Sequence, residues 1–180
     1  VCAGFDVRNN TNKAILNLVR RLDRNGAIIG AICTGTYVMA AAGLLDGRRC
    51  TIHWENIDGL AEEFQDLNIT TDLFEIDGNR VTCSGGTASL DMMLNLISHS
   101  HGAQLAAEIS DQFIHDRIRE PTDRQRMELR SRIGVSHPKL LAVVKTMECN
   151  LEEPLPQTTI ALETGLSTRQ LERLFRKYLN

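Results

Sequence analysis

The sequence predicts a layered α/β domain over residues 1–120, a charged linker over 121–132 and a small all-α segment over 133–180. Three observations lead there. Short apolar runs alternate with helical patterns through the first 113 residues, the arrangement that builds a mostly parallel sheet covered by helices. All four prolines, Pro121, Pro138, Pro154 and Pro156, fall after position 120. The charge changes sign there too. Residues 1–120 hold 10 Lys and Arg against 16 Asp and Glu, net −6, whereas residues 121–180 hold 10 against 7, net +3.

Residues 11–24 place Ile15, Leu18, Val19 and Leu22 at helical spacing, and Asn25-Gly26 ends that helix. Ala27 to Ile32 is a continuous apolar run, as expected of a strand buried on both faces. Thr36 to Ala42 reads as a helix stopped by Gly43. A short strand over Arg49–Ile52 and a helix over Asn56–Gln65 follow. Thr70–Ile76 and Arg80–Ser84 read as strands joined by Asp77-Gly78, a strong hairpin signal. Leu90, Met93, Leu94 and Ile97 form the next helical stripe; Gly102 breaks it, and Leu105, Ile109 and Phe113 mark another helix. Eight charges over residues 119–136 without an apolar period make the linker. Ser136 is expected to cap a helix whose buried face is Leu140, Val144, Met147 and Leu151.

Across 180 residues, 42% hydrophobic and 24% charged is the balance of a soluble globular chain, which excludes disordered, collagen-like and coiled-coil classes. Five cysteines, none closer than 17 residues to the next, contain no CxxC motif and argue against a disulfide scaffold. His99 and His101 read as a helix C-terminus, and no metal or cofactor is expected. Asn25–Leu45 carries no charge, but Gly26, Gly30, Gly35 and Gly43 interrupt it, so a strand, turn and buried helix explain it better than a membrane span. With no signal peptide, the expectation is a cytoplasmic protein. The abrupt opening at Val1 and the close at Asn180 read as an excerpt of a longer protein.

The last segment reads as helix, tight turn, helix. Ala161 is small where two helices cross, and Gly165 suits the left-handed end of the first helix. Ser167 and Gln170 form a capping box for the second, whose Leu171, Leu174 and Phe175 face inward. Thr168, Arg169, Glu172, Arg173, Arg176 and Lys177 then point outward. In a major groove, Arg bonds guanine bidentately and Glu accepts from cytosine, while Arg176 and Lys177 suit phosphates. The bland alternative is a helical hairpin with a solvated basic face. The run Ala161, Gly165, Leu166, Ser167, Arg169, Leu171, Arg173, Phe175 resembles the first helix-turn-helix of AraC-type regulators, as does Gly134–Leu140 the start of that domain. The resemblance covers about residues 133–180 and implies base contacts by Arg169, Glu172 and Arg173. That family's domain carries two such units, and one is present here.

Cys33, in Ile32-Cys33-Thr34-Gly35, sits where a strand gives way to a helix, the geometry of a nucleophile elbow. His53, 20 residues on, ends another strand, and two strand ends of a parallel sheet often meet at one edge. A Cys–His pair is one reading; an inert buried thiol and a hydrogen-bonded structural histidine are the other. Cys33-Thr34-Gly35, then Ala42–Arg49, His53-Trp54 and Cys83-Ser84-Gly85-Gly86 resemble the PfpI/ThiJ-type, class I glutamine amidotransferase-like domain. Joined to an AraC-type segment, this resembles the GlxA-like regulator family. The resemblance implies a flavodoxin-like, amidotransferase-like fold whose first strands precede Val1. It implies a ligand pocket at Gly4, Cys33, Thr34, His53, Ser84, Gly85 and Gly86, with Cys33 and His53 a vestigial pair rather than a catalytic one. The partners it implies are DNA, a second copy of the chain, and a small effector such as an amino acid or betaine. The rival is a Cys-dependent amidase or hydrolase of the same superfamily.

Overall fold

The computed structural model describes residues 1–179, which divide between Arg126 and Met127 into two units. The first holds a four-stranded sheet in the order β1 (Cys2–Ala3), β2 (Ile29–Cys33), β6 (Arg80–Cys83), β5 (Phe74–Asp77). Strands β1, β2 and β6 run parallel; β5 is antiparallel to β6, joined through the expected hairpin with Asp77 opposite Arg80. A parallel pair, β3 (Arg49–Thr51) and β4 (Asn68–Thr70), lies against this sheet. The Thr51 N–H donates to Thr82 Oγ1 and the Arg49 N–H to Asp77 Oδ2, both at 2.9 Å.

Helices α1 (Val7–Asn10), α2 (Lys13–Arg24), α3 (Gly35–Ala41), α4 (Ile57–Glu63), α5 (Ala88–His101) and α6 (Ala103–Gln112) complete the unit. The Asn12 side chain caps α2 by accepting from the Ala14 and Ile15 N–H groups. Ala31, Met39, Leu45, Cys50, Ile52 and Leu60 are buried in one apolar cluster, and Leu73, Phe74, Val81 and Met92 in a second. Among the described residues no helix is long and apolar enough to cross a membrane.

Several expectations need correction. The apolar run at Ala27 is not buried throughout: Ile28 precedes β2 and is exposed. Thr70–Ile76 is not one strand. Thr70 belongs to β4, opposite Thr51, and the chain turns before Phe74, with Leu73 bonded to Pro121 O at 2.8 Å. The charged stretch 121–132 carries structure of its own. Asp72 and Arg124 pair through their backbones in an isolated antiparallel β-bridge, and Gln125 Nε2 donates to Thr51 Oγ1, Ile52 O and Asp72 O at 3.0, 3.1 and 2.9 Å. The stretch then enters helix α7 (Leu129–Ile133).

The second unit continues with α8 (Pro138–Glu148), α9 (Gln157–Glu163) and α10 (Thr168–Tyr178) around Leu140, Val143, Ile160, Ala161 and Leu171. His137, not Ser136, caps α8: its Nδ1 accepts from the Leu140 N–H, leaving Pro138 at the first helical position, where no N–H is needed. The buried face is Leu140 and Val143 rather than the expected stripe: Met147 is exposed, and so is Leu151, which lies beyond the helix end at Glu148.

Candidate functional site

Cys33 ends β2 with φ +58, a left-handed backbone uncommon for a residue with a side chain. Such strain persists only where neighbours hold it. Here Thr34 Oγ1 donates to Gly4 O at 2.6 Å, tying the elbow to the end of β1. On the other side lies Gly85, at φ +91; a Cβ there would stand 2.6 Å from Cys33 Cβ and 3.1 Å from Sγ. No other residue type leaves room for the Cys33 side chain. Ser84 is buried, with its N–H bonded to Leu73 O at 2.8 Å, and Gly86 O accepts from Ser89 Oγ at 2.6 Å. The structure therefore brings Gly4, Cys33, Thr34, Ser84 and Gly85 together around one sheet edge, with Gly86 next in the chain. Neighbouring Cys83 is buried, which pushes its thiol pKa up, although the Gly85 and Cys33 N–H groups directed at it pull the other way.

His53 is turned elsewhere. Its Nδ1 accepts from the Glu55 N–H at 3.4 Å and lies 3.7 Å from Glu55 Oε2, and its ring packs at 5.5 Å from that of Trp54. Among the described residues no hydrogen bond joins His53 to Cys33. The cleft at this end of the unit, about 260 Å³, is lined by Asp6, Arg8, Thr34, Tyr37, Ile52 and Asn56, among others, but by neither Cys33 nor His53. The Cys33 side chain lies against Gly85, and the His53 ring is held by its own turn. The sequence reading missed Asp6, Arg8 and Tyr37. Tyr37 Oη donates to Glu63 Oε1 at 2.6 Å, while Arg8 pairs with Glu63 at 3.1 Å, so the wall they form is built from charges distant in sequence. The glutamate raises the Tyr37 pKa by accepting that bond.

In the second unit, α9 ends on Gly165 at φ +63, where the Leu166 N–H reaches back to Ala161 O at 2.8 Å. The capping box is complete. Ser167 Oγ accepts from the Gln170 N–H at 3.3 Å, and Gln170 Oε1 accepts from the Ser167 N–H at 2.8 Å. Leu171 is buried against Ala161 and Ile160. Arg169, Glu172, Arg173, Arg176 and Lys177 are exposed and Thr168 half-buried. Glu172 Oε1 accepts from Gln157 Nε2 at 3.5 Å, and Arg169, Glu172, Arg173 and Arg176 line one shallow groove.

Comparison with known proteins adds a family. The profile of the DJ-1/PfpI family matches residues 4–99, a span that contains the whole elbow, His53 and Ser84–Gly86. The chain belongs to the DJ-1/PfpI family. It is 49% identical to the HTH-type transcriptional regulator CdhR of Pseudomonas aeruginosa over 180 residues, all of this chain and 54% of that protein. It is 44% identical to the HTH-type transcriptional regulator GlxA of Rhizobium meliloti over 179 residues, 99% of this chain and 55% of that protein. The chain spans about half the length of these curated relatives. It is also 32% identical to isonitrile hydratase of Pseudomonas putida over 97 residues, 51% of this chain and 39% of that one. Among solved structures it resembles an AraC family transcriptional regulator from Pseudomonas putida, with TM-score 0.52, 25% identity, and coverage of 56% and 54%. Drosophila melanogaster DJ-1beta shares the fold, with TM-score 0.53, 21% identity, and coverage of 62% and 60%. The expected resemblance to GlxA-like regulators is borne out, as is the flavodoxin-like α/β fold. Relatives of this DJ-1/PfpI chain thus include both regulators and an enzyme.

Proposed function

We propose that the protein is a DNA-binding transcription regulator whose DJ-1/PfpI unit senses a small nitrogen-containing metabolite. The observation that carries the reading is α10. A capping box fixes its N-terminus, one apolar face is buried, and Arg169, Glu172, Arg173, Arg176 and Lys177 stand exposed on the rest. A helix that only packs needs no such cationic face. In this reading α9 and α10 are the helix-turn-helix, α10 enters the major groove, Thr168, Arg169, Glu172 and Arg173 meet base edges, and Arg176 and Lys177 hold phosphates. The names of CdhR and GlxA support it. Gly4, Cys33, Thr34, His53, Ser84, Gly85 and Gly86 surround the effector, an amino or quaternary-ammonium compound. The active species is a cytoplasmic homodimer, and Cys33 and His53 perform no catalysis.

Selection from a randomised duplex pool at low salt tests the DNA assignment. Enrichment of one sequence pattern is expected, with loss of that pattern in Arg173→Ala. The selection uses the full-length protein, because one reading helix where the family uses two should bind poorly by itself; no enrichment by the full-length protein contradicts the assignment. A thermal-shift screen over amino acids and betaines tests the sensing: a ligand at a hundred times its Kd stabilises by about 2.7 kcal/mol.

One observation favours a second reading. The strained Cys33 backbone is the form a nucleophile takes, and isonitrile hydratase is similar over this unit. That reading is a Cys-dependent hydrolase. Turnover of amides or glyoxals that vanishes in Cys33→Ala would establish it.

A further inference from the structure

Helix α10 is seated on its neighbours at three places. In the middle, Leu171 packs in one apolar cluster with Val143 of α8 and with Ile160 and Ala161 of α9. Before its start, the Lys139 ammonium donates to Gly165 O at 2.6 Å. At its end, the Tyr178 ring stands 5.4 Å from the ring of His137, whose Nδ1 is already held by the Leu140 N–H. His137 and Lys139 flank Pro138 at the start of α8. That one turn therefore brackets α10 from both ends.

These contacts differ in kind. Apolar burial has no direction, so the Leu171 contact alone lets a helix roll and slide. A hydrogen bond from an ammonium is directional and fixes a point. The point fixed here is the turn itself. Gly165 takes φ +63, its N–H reaches back to Leu162 O at 3.1 Å, and Ser167 caps α10 two residues later. The carbonyl that Lys139 holds lies just past the end of α9, where a cation also meets the negative end of a helix. Lys139 is exposed, so burial does not hold its ammonium there; the carbonyl does.

We infer that Lys139 is a positioning residue for sequence reading: its bond to Gly165 O fixes the pose of α10, and with it the places of Arg169, Glu172 and Arg173. The inference rests on the proposed reading of α10 as the helix that meets DNA. Base readout needs side chains within about 0.5 Å and 10–20° of the productive geometry, whereas attraction to phosphates needs only charge nearby. Loss of the clamp therefore costs discrimination between sequences before it costs attraction to DNA. An ammonium has three donors, so a direct phosphate bond is the competing role for Lys139. That role would act on every sequence alike.

The test takes the full-length protein as wild type, Lys139→Met and Lys139→Arg. Each is titrated, at two salt concentrations, with the duplex selected from the randomised pool and with a scrambled one. Lys139→Met should bind the selected duplex roughly ten-fold more weakly, with the scrambled-duplex affinity and the salt slope unchanged. Lys139→Arg, which keeps the charge and a donor, should recover most of the discrimination. Equal losses on both duplexes, with the slope lower by about one, would make Lys139 a phosphate ligand and overturn the inference. Unchanged discrimination would overturn it as well. So would loss of helical circular dichroism in Lys139→Met, which would make Lys139 a folding residue. Hydrogen exchange without DNA separates the two readings. The Gly165 and Leu166 N–H groups should exchange faster in Lys139→Met. Faster exchange in a protein whose wild type selects no sequence sustains the clamp and sinks the regulator. Unchanged exchange and discrimination in a protein that does select sink the clamp alone.

Discussion

Cys33 keeps its left-handed backbone because Gly85 yields it space, and this pair makes a sharp prediction. Gly85→Ala combines a disallowed φ of +91 with a Cβ 2.6 Å from Cys33 Cβ, so urea unfolding should show a loss of about 2 kcal/mol or more. Gly86→Ala, at φ +56 with open space around it, should cost about 1 kcal/mol. Equal losses would mean that the Cys33 contact is not what Gly85 serves. Asp91 gives a second prediction. Burial alone would raise its pKa, but bonds from the Arg119 N–H at 2.8 Å, His115 Nε2 at 2.8 Å and the Arg119 guanidinium outweigh that and hold it below the usual carboxylate range. A depressed folded pKa stabilises fully above the unfolded value of about 3.9 and is lost as pH falls through the folded value. Stability should therefore drop with acid in that window, and Asp91→Asn should flatten the drop while costing about 3 kcal/mol at neutral pH, since it leaves Arg119 unpaired. Urea midpoints between pH 5 and 2 check it. At this scale the sequence was informative where chemistry is local. Cys33 before Thr34-Gly35 spells a strand-to-helix turn, but nothing in Asp91 announces Arg119, which lies 28 residues on.

The elements behave the same way. The second helix of the tail was legible because its capping box, the Gly165 stop of the helix before it and its Leu171–Phe175 stripe all lie within 15 residues. Ser167→Ala should cost about 1 kcal/mol in unfolding of the second unit, measured by circular dichroism, and Gln170→Ala should lose part of the same stabilisation, with the double variant losing less than the sum because the two act as one cap. A cost near zero would show that packing alone fixes the start of α10. Elsewhere propensity misled. Thr70–Ile76 holds Thr70, Thr71, Phe74 and Ile76, all strand-formers, yet Thr70 pairs with Thr51 and Phe74 with Cys83, partners that no local pattern shows. The stretch 121–132 read as linker because its charges hide what Pro121, Arg124 and Gln125 do to β3 and the turn before β5. His137 replaced Ser136 as a cap because a ring nitrogen accepts an N–H as a hydroxyl does, a choice the usual capping preferences do not favour.

At the scale of the whole molecule, the charge asymmetry matters most. An acidic α/β unit repels a polyanion and a basic helical unit attracts one, so the proposed regulator would bind nucleic acid through its second unit. The central proposal is stronger than attraction: that α10 reads sequence. Arg169 and Arg173 are one helical turn apart and share a face with Glu172 beside them, whereas Lys177 lies a turn further from the capped end. The direct test is duplex affinity, at two salt concentrations, of the full-length protein and its Arg173→Ala and Lys177→Ala variants, on the selected sequence and on a scrambled one. The account predicts that Arg173→Ala loses roughly 1–3 kcal/mol on the selected duplex only, and that Lys177→Ala weakens both duplexes and lowers the salt slope by about one. Equal losses on both duplexes for Arg173→Ala, or none on either, would contradict it.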